Sequence, residues 1–202
     1  MDSAPPRIVR HRVLQLGGFL TPPEAERWMQ YAFESEASFA PSGTIDNATH
    51  YRRSLVLNPG QAMSVPFTNK VRSVMPDVIR ALHMRPFTVG IVECQLTANN
   101  DGAFFGDHTD AGRNDTVLRQ LTYVYYFNRA PKGFEGGELR VYDDQIRNGK
   151  LARVETFQAI EPRHNSIVFF QAPVMHEVMP VRVPSREFRD SRFTVNGWIQ
   201  RT

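Results

Sequence analysis

From Phe87 to the C-terminus the chain reads as one strand after another, and no helical segment separates them. Apolar and polar residues alternate near 88–98, 103–109, 117–127, 137–143, 153–160, 166–171, 176–182 and 191–200. Gly, Pro, Asn or Asp stands between most of these segments. Eight short strands at this spacing predict a mainly antiparallel β-sandwich or jelly roll. A parallel α/β fold is disfavoured, because its strands need helical crossovers.

The helices come first. Residues 1–10 read as a loose tail, His11 to Leu16 as a short strand, and Gly17-Gly18 as its end. Thr21-Pro22-Pro23-Glu24 has the form of a helix start: Thr at the N-cap, Pro at the first helical position, and Glu closing a capping box. That helix is expected to run to about Ala37. Ser38 to His50 reads as a loop and Tyr51 to Leu57 as a strand. A second helical region is expected from about Phe67 to Met84, with Val71, Val74, Met75, Val78 and Leu82 as its apolar stripe. Pro76 within it predicts a kink or two shorter helices. The fold class is therefore α+β, mainly β, with N-terminal helices packed on one sheet.

Composition excludes more than it identifies. At 202 residues the chain is long enough to bury a good core. Its net charge of +3 is spread over scattered arginines interspersed with acids, so a nucleic-acid surface is not expected. The single cysteine, Cys94, rules out an internal disulfide framework and lies in an alternating apolar run. No stretch approaches the ~18 apolar residues of a membrane span. The N-terminus lacks the apolar core of a signal peptide, and a cytoplasmic protein is expected.

The chemistry concentrates between Phe104 and Tyr126. His108-Thr109-Asp110 places a histidine and a carboxylate two residues apart, on one face if the segment is extended. The pair alone is weak, since most such pairs are solvated loop residues. A second histidine would complete the two-histidine, one-carboxylate triad of non-haem Fe(II) oxygenases, with open positions for other ligands. His176, in Met175-His176-Glu177-Val178, is the candidate, with a satisfied structural histidine as the plainer alternative. In the last strand, alternation puts Arg192, Thr194, Asn196 and Trp198 on one face and Phe193, Val195 and Ile199 on the other. An arginine on an interior face is costly unless an anion meets it. Either it sits at the strand's edge in water or it grips a buried carboxylate. Tyr126, sharing a face with Thr122 and Val124, could offer a phenol to the same group.

Taken together, the order H-x-D, YY-F-N, GGELRVY (Gly136 to Tyr142), HEV-x-P-V and R-F-x-V-x-G-W resembles the prolyl 4-hydroxylase-type family of Fe(II)/2-oxoglutarate dioxygenases. The resemblance covers roughly residues 90–202. It implies a double-stranded β-helix, with one dioxygenase domain over 1–202: a helical support region at 1–86 and the β-helix core at 87–202. It implies His108, Asp110 and His176 as catalytic iron ligands. Arg192 and Tyr126 would hold the distal carboxylate of 2-oxoglutarate, and Val124, Leu139, Val178, Thr194 and Trp198 would line the pocket. The implied cofactors are Fe(2+), with 2-oxoglutarate and O2 as cosubstrates and ascorbate as a reductant. The implied reaction hydroxylates an unactivated C–H on a peptidyl or free amino-acid side chain. Tailoring of a small-molecule natural product and a catalytically silent binding module are the alternatives. The implied partner is a peptide, protein or small-molecule substrate, with no nucleic acid and no membrane.

Two departures from the family pattern stand out. An enlarged segment, Pro184 to Asp190, precedes Arg192 and brings Arg186 and Arg189 in as rival carboxylate partners. Asn99 stands where many relatives carry a tyrosine. The presence of Asp110 argues against a halogenase, in which Gly or Ala frees a site for chloride. Trp198, six residues after Arg192, replaces the second arginine of the nucleic-acid-repair branch.

Overall fold

A computed structural model describes residues 7–42, 51–112, 116–147 and 150–202. In chain order its elements are β1 (Arg7–Val9), β2 (Leu14–Gly17), α1 (Pro22–Glu34), β3 (Ala40–Pro41), β4 (Arg52–Arg53), β5 (Leu55–Leu57) and α2 (Gln61–Ala81). There follow β6 (Val89–Val92), β7 (Gln95–Asn99), β8 (Phe104–His108), β9 (Arg119–Phe127), β10 (Glu135–Gly136), β11 (Leu139–Arg147) and β12 (Lys150–Ile160). The chain ends with β13 (Ser166–Gln171), β14 (His176–Val178), β15 (Val181–Arg182) and β16 (Arg192–Arg201).

Two antiparallel sheets face each other, as expected of a jelly roll. The major sheet has the order β2-β13-β9-β16-β7-β5-β3, with β6 also on β16. The minor sheet runs β1-β11-β14-β8-β4, with β12 on β11. Alternation along β9 and β16 decides what each face buries. Tyr123, Tyr125, Phe127, Phe193, Val195 and Ile199 point to the helices and join Trp28, Phe67 and Val71 in one core. Tyr126, Val168 and Phe170 point the other way and pack with Leu139 and Val141 between the sheets.

The helices cover the outer face of the major sheet. α1 begins where the capping box predicts: Thr21 N–H and hydroxyl both donate to Glu24 Oε2 at 2.8 Å. It ends at Glu34, short of Ala37, and a 3-10 turn at Glu36–Ser38 follows. α2 starts six residues earlier than expected and runs unbroken through Pro66 and Pro76. Phe67, Val71, Met75, Val78 and Ile79 are all buried, on both sides of Pro76. Burying each such side chain is worth about 1.5–3 kcal/mol. That outweighs the ~3 kcal/mol an interior proline costs. No helix among the described residues is long and apolar enough to cross a membrane.

Other expectations need correction. Residues 7–9 form a strand rather than a loose tail, since β1 pairs with β11. Of the loop expected at 38–50, Ala40–Pro41 pairs with β5, and residues 43–50 lie outside the described residues. The single strand expected at 51–57 is two strands in different sheets: β4 pairs with β8 and β5 with β7. The chain crosses between sheets at Ser54, which no periodicity in so short a segment could signal.

Candidate active site

The register of β14 on β8 sets His176 directly opposite His108. Asp110 follows just beyond β8, where its backbone N–H donates to Ala172 O at 2.9 Å in the connection between β13 and β14. These three side chains converge between the sheets. Asp110 Oδ1 is 3.7 Å from His108 Nε2 and Oδ2 is 3.2 Å from His176 Nε2. All three donor atoms lie within 4.8 Å of one another. His176 and Asp110 are buried, with 4% and 9% of their surface exposed. One ion could bind all three and keep open positions on its remaining side.

The surroundings orient each donor. His108 Nδ1 is 2.7 Å from Gly106 O, and His176 Nδ1 is 2.9 Å from Val174 O. A carbonyl can only accept, so each Nδ1 carries a proton there, and both Nε2 atoms face Asp110. Burial, reinforced by His176, pulls His108 down to about 3 against the opposing pull of Asp110, so this imidazole is neutral at pH 7. Burial would push the Asp110 carboxyl up. His176, first, and the Thr122 hydroxyl, which donates to Oδ2 at 2.7 Å, outweigh it and hold the group well below the usual carboxylate range. A neutral imidazole and an ionised carboxylate are the forms that ligate metal.

The same residues open onto a cavity of about 600 Å³, counting its solvent-facing mouth. Val124 and Tyr126 reach it from β9, Arg192, Thr194 and Trp198 from β16, and Leu139 and Val178 from the minor sheet. The ten residues that the resemblance assigns to the iron, the cosubstrate and the pocket wall thus meet in one place. Arg192 is only 2% exposed, and its Nε has no hydrogen-bond partner among the described residues. The Tyr126 hydroxyl is likewise buried and lacks a well-formed hydrogen bond among the described residues, its charged neighbour being Arg192, whose guanidinium lies 4.9 Å above the Tyr126 ring. Burial lowers the Arg192 pKa, yet a guanidinium keeps its proton in proteins. A buried cation beside a free phenol is a fitting seat for a carboxylate.

The rival arginines lie elsewhere. The Arg186 side chain is 81% exposed and faces Asp101 at 3.5 Å, and Arg189 sits over the Phe33 ring at 5.0 Å. Asp190, paired with Arg129 and accepting from Ser185 at 2.6 Å, ties the enlarged segment down. Asn99 faces the cavity and donates Nδ2 to Arg192 O at 3.2 Å, so it supports the strand that carries the arginine.

Sequence reasoning missed several groups. Arg52 and Phe105 line the cavity, Thr122 binds Asp110, and Arg119 braces the loop that carries Asp110. Arg119 grips Glu93 through Nε at 2.9 Å and Nη2 at 2.8 Å, stacks on Trp198 at 3.8 Å and reaches Asp110 O at 3.4 Å. The arginine at the start of β9 falls beside the triad only once β9 pairs with β16. Of these groups, Thr122 alone carried a signal, through its shared face with Tyr126.

Comparison with known proteins agrees with this geometry. The sequence profile described as the 2OG-Fe(II) oxygenase superfamily matches residues 94–200. An uncharacterized PKHD-type hydroxylase of Synechocystis sp. is 42% identical over 189 residues, covering 93% of this chain and 62% of the relative. The chain thus spans about three fifths of that relative's length. Among solved structures, a prolyl-4-hydroxylase from Pseudomonas putida superposes with a TM-score of 0.66 at 22% identity, over 95% of this chain and 94% of that one. A prolyl hydroxylase from Trichoplax adhaerens, in complex with a hypoxia inducible factor peptide fragment, gives 0.67 at 17% identity, over 94% and 83%. At these identities the two structures bear on the fold alone.

Proposed function

The chain belongs to the 2OG-Fe(II) oxygenase superfamily, and from that premise we propose that it is an Fe(II)- and 2-oxoglutarate-dependent hydroxylase acting on a peptidyl or free amino-acid side chain. One observation carries the reading. A cluster of metal-ligand character and a buried arginine–phenol pair, with Arg192 Nε and the Tyr126 hydroxyl lacking a hydrogen bond among the described residues, open onto the same cavity. A silent binding module would have no need to keep both.

In this reading His108, Asp110 and His176 hold the iron, and Arg192 and Tyr126 take the distal carboxylate of 2-oxoglutarate. When bound, iron and 2-oxoglutarate supply the oxidation: the keto acid and O2 give succinate and CO2, and the second oxygen atom enters a substrate C–H bond. The chain's own contribution is positional. Gly106 and Val174 carbonyls keep both Nε2 atoms aimed inward, and the Thr122 hydroxyl turns Asp110. Arg192 fixes the direction of the keto acid through a charge-assisted pair. Val124, Leu139 and Val178 present apolar wall beside it and keep bulk water from the reacting centre. Thr194 and Trp198 complete the wall from β16.

The fold shared with prolyl hydroxylases, one of them holding a peptide, motivates the choice of an amino-acid side chain as the site of oxidation. The test is succinate release by the Fe(II)-loaded protein over a panel of peptides and free amino acids, with products weighed for the gain of one oxygen. Stimulation by at least one compound, with matching hydroxylated product, is the expected result. Succinate release that no compound stimulates would argue against this substrate class.

A further inference from the structure

The proposed metal and cosubstrate residues leave one charged group in the cavity without a task. Arg52 reaches it from β4 on the minor sheet, whereas Arg192 comes from β16 on the major one. The Arg52 guanidinium lies 4.7 Å over the centre of the Phe105 ring, and Phe105 stacks on His108 at 3.6 Å with 18° between their planes. Arg52 therefore stands two stacked layers from a proposed metal ligand. Its Nε donates to Ser54 Oγ at 3.2 Å, which fixes the plane of the fork. No carboxylate among the described residues forms an ion pair with it. Asp110 is already engaged by the two histidines and Thr122. Next along the chain, Arg53 is exposed, lies against the backbone at Gly102 and does not line the cavity.

A cation part-way out of water, held flat on an aromatic ring with its forked edge unpaired among the described residues, is costly unless an anion arrives. Its fixed plane matches a carboxylate in a bidentate pair. We propose that Arg52 is a specificity-determining residue that binds a carboxylate of the prime substrate and so holds a neighbouring C–H bond at the metal cluster. The inference rests on the oxygenase reading and narrows its substrate to carboxylate-bearing molecules. The carboxylate is either the free α-carboxylate of an amino acid or the acidic side chain of a peptide.

Matched acid–amide pairs test it. One arm sets N-acetyl-L-amino acids against their primary amides. The other sets end-capped tripeptides centred on Asp or Glu against those centred on Asn or Gln. Binding is read by saturation-transfer NMR on the protein loaded with Fe(II) and 2-oxoglutarate under anaerobic conditions. At least one acid should bind wild type about tenfold or more tightly than its amide, and the arm in which it appears names the source of the carboxylate. Arg52→Met should erase the preference, Arg52→Lys should restore part of it, and Arg53→Met should retain it. Equal binding of acids and amides by wild type, binding of neither, or a preference that survives Arg52→Met overturns the proposal. Loss of 2-oxoglutarate by Arg52→Met to the extent seen in Arg192→Met also overturns it, by assigning Arg52 to the cosubstrate. The oxygenase reading fails separately, if wild type neither binds 2-oxoglutarate nor releases succinate.

Discussion

Replacing Arg192 by methionine isolates the cosubstrate assignment, because the side chain is buried and its role depends on charge rather than volume. Arg192 is 2% exposed, so solvent does not screen a pair formed there. Removing one partner of such a pair leaves the other charge unpaired in a poorly solvated pocket, at about 2–5 kcal/mol. At about 1.4 kcal/mol per tenfold, Arg192→Met should weaken 2-oxoglutarate binding by roughly 30-fold to several thousand-fold. The fold should not suffer. Without a cosubstrate carboxylate, burial disfavours the Arg192 charge and Tyr126 and Glu138 offset it only in part, so methionine of similar length removes a cost. The melting temperature of the unliganded variant should equal or exceed that of wild type, while 2-oxoglutarate should raise only the wild-type value. Binding is read by isothermal titration calorimetry on the metal-loaded protein, and stability by thermal unfolding with and without 2-oxoglutarate. Arg186→Met and Arg189→Met are the controls, since Arg186 faces Asp101 and Arg189 covers Phe33. A large loss in either control, with normal affinity in Arg192→Met, would refute the assignment.

Four further outcomes are expected. Tyr126→Phe removes a hydroxyl that would bond a charged group, worth about 1.5–3 kcal/mol, so 2-oxoglutarate binding should fall about tenfold to a hundredfold in the same titration. Thr122→Val deletes the donor 2.7 Å from Asp110 Oδ2; metal affinity, measured by competitive chelation, should drop about 10–100-fold. Gly197→Ala would place a Cβ 1.9 Å from Glu93 O, a backbone atom. It should cost more than about 3 kcal/mol and lower the melting temperature by about 6–12 °C. Glu24, at the start of α1, is held at about 2 against an ordinary 4.5, chiefly by the Thr21 backbone N–H. Its stabilising effect is present above pH 4.5 and lost as pH falls toward 2. The carboxylate is half exposed, so Glu24→Gln should cost under about 1 kcal/mol near neutrality, and the difference in melting temperature should shrink steadily as pH falls from 4.5 through 2.

Where a long strand alternates, the sequence is readable, because period-two burial leaves a mark on every second residue. β16 illustrates this: Phe193, Val195 and Ile199 enter the helix-side core, and Arg192, Thr194 and Trp198 enter the cavity, as alternation predicts. His108 and Asp110 are legible for a similar local reason. His176 is not legible by itself, since its place depends on a pairing 68 residues away in the chain, His176 against His108; only the order of motifs pointed to it. Arg52 was invisible. It sits in a two-residue strand whose face is set by pairing with Phe105, and two residues carry no period. The continuity of α2 through Pro76 was misjudged for a different reason. Proline chemistry alone predicts a break there, and the stripe on both sides of Pro76 outweighs it only once the helix is packed on the sheet.

The central claim is that His108, Asp110 and His176 hold one Fe(II) that turns over 2-oxoglutarate. Its most direct test measures succinate from 2-oxoglutarate in air with one equivalent of Fe(II), comparing wild type with His176→Ala, alongside the metal content of each. Wild type should retain one metal ion per chain and release succinate slowly even without a prime substrate. His176→Ala should fall to the background of free Fe(II) and lose most of its metal. Equal succinate release from the two proteins, or full metal retention by His176→Ala, would contradict the account.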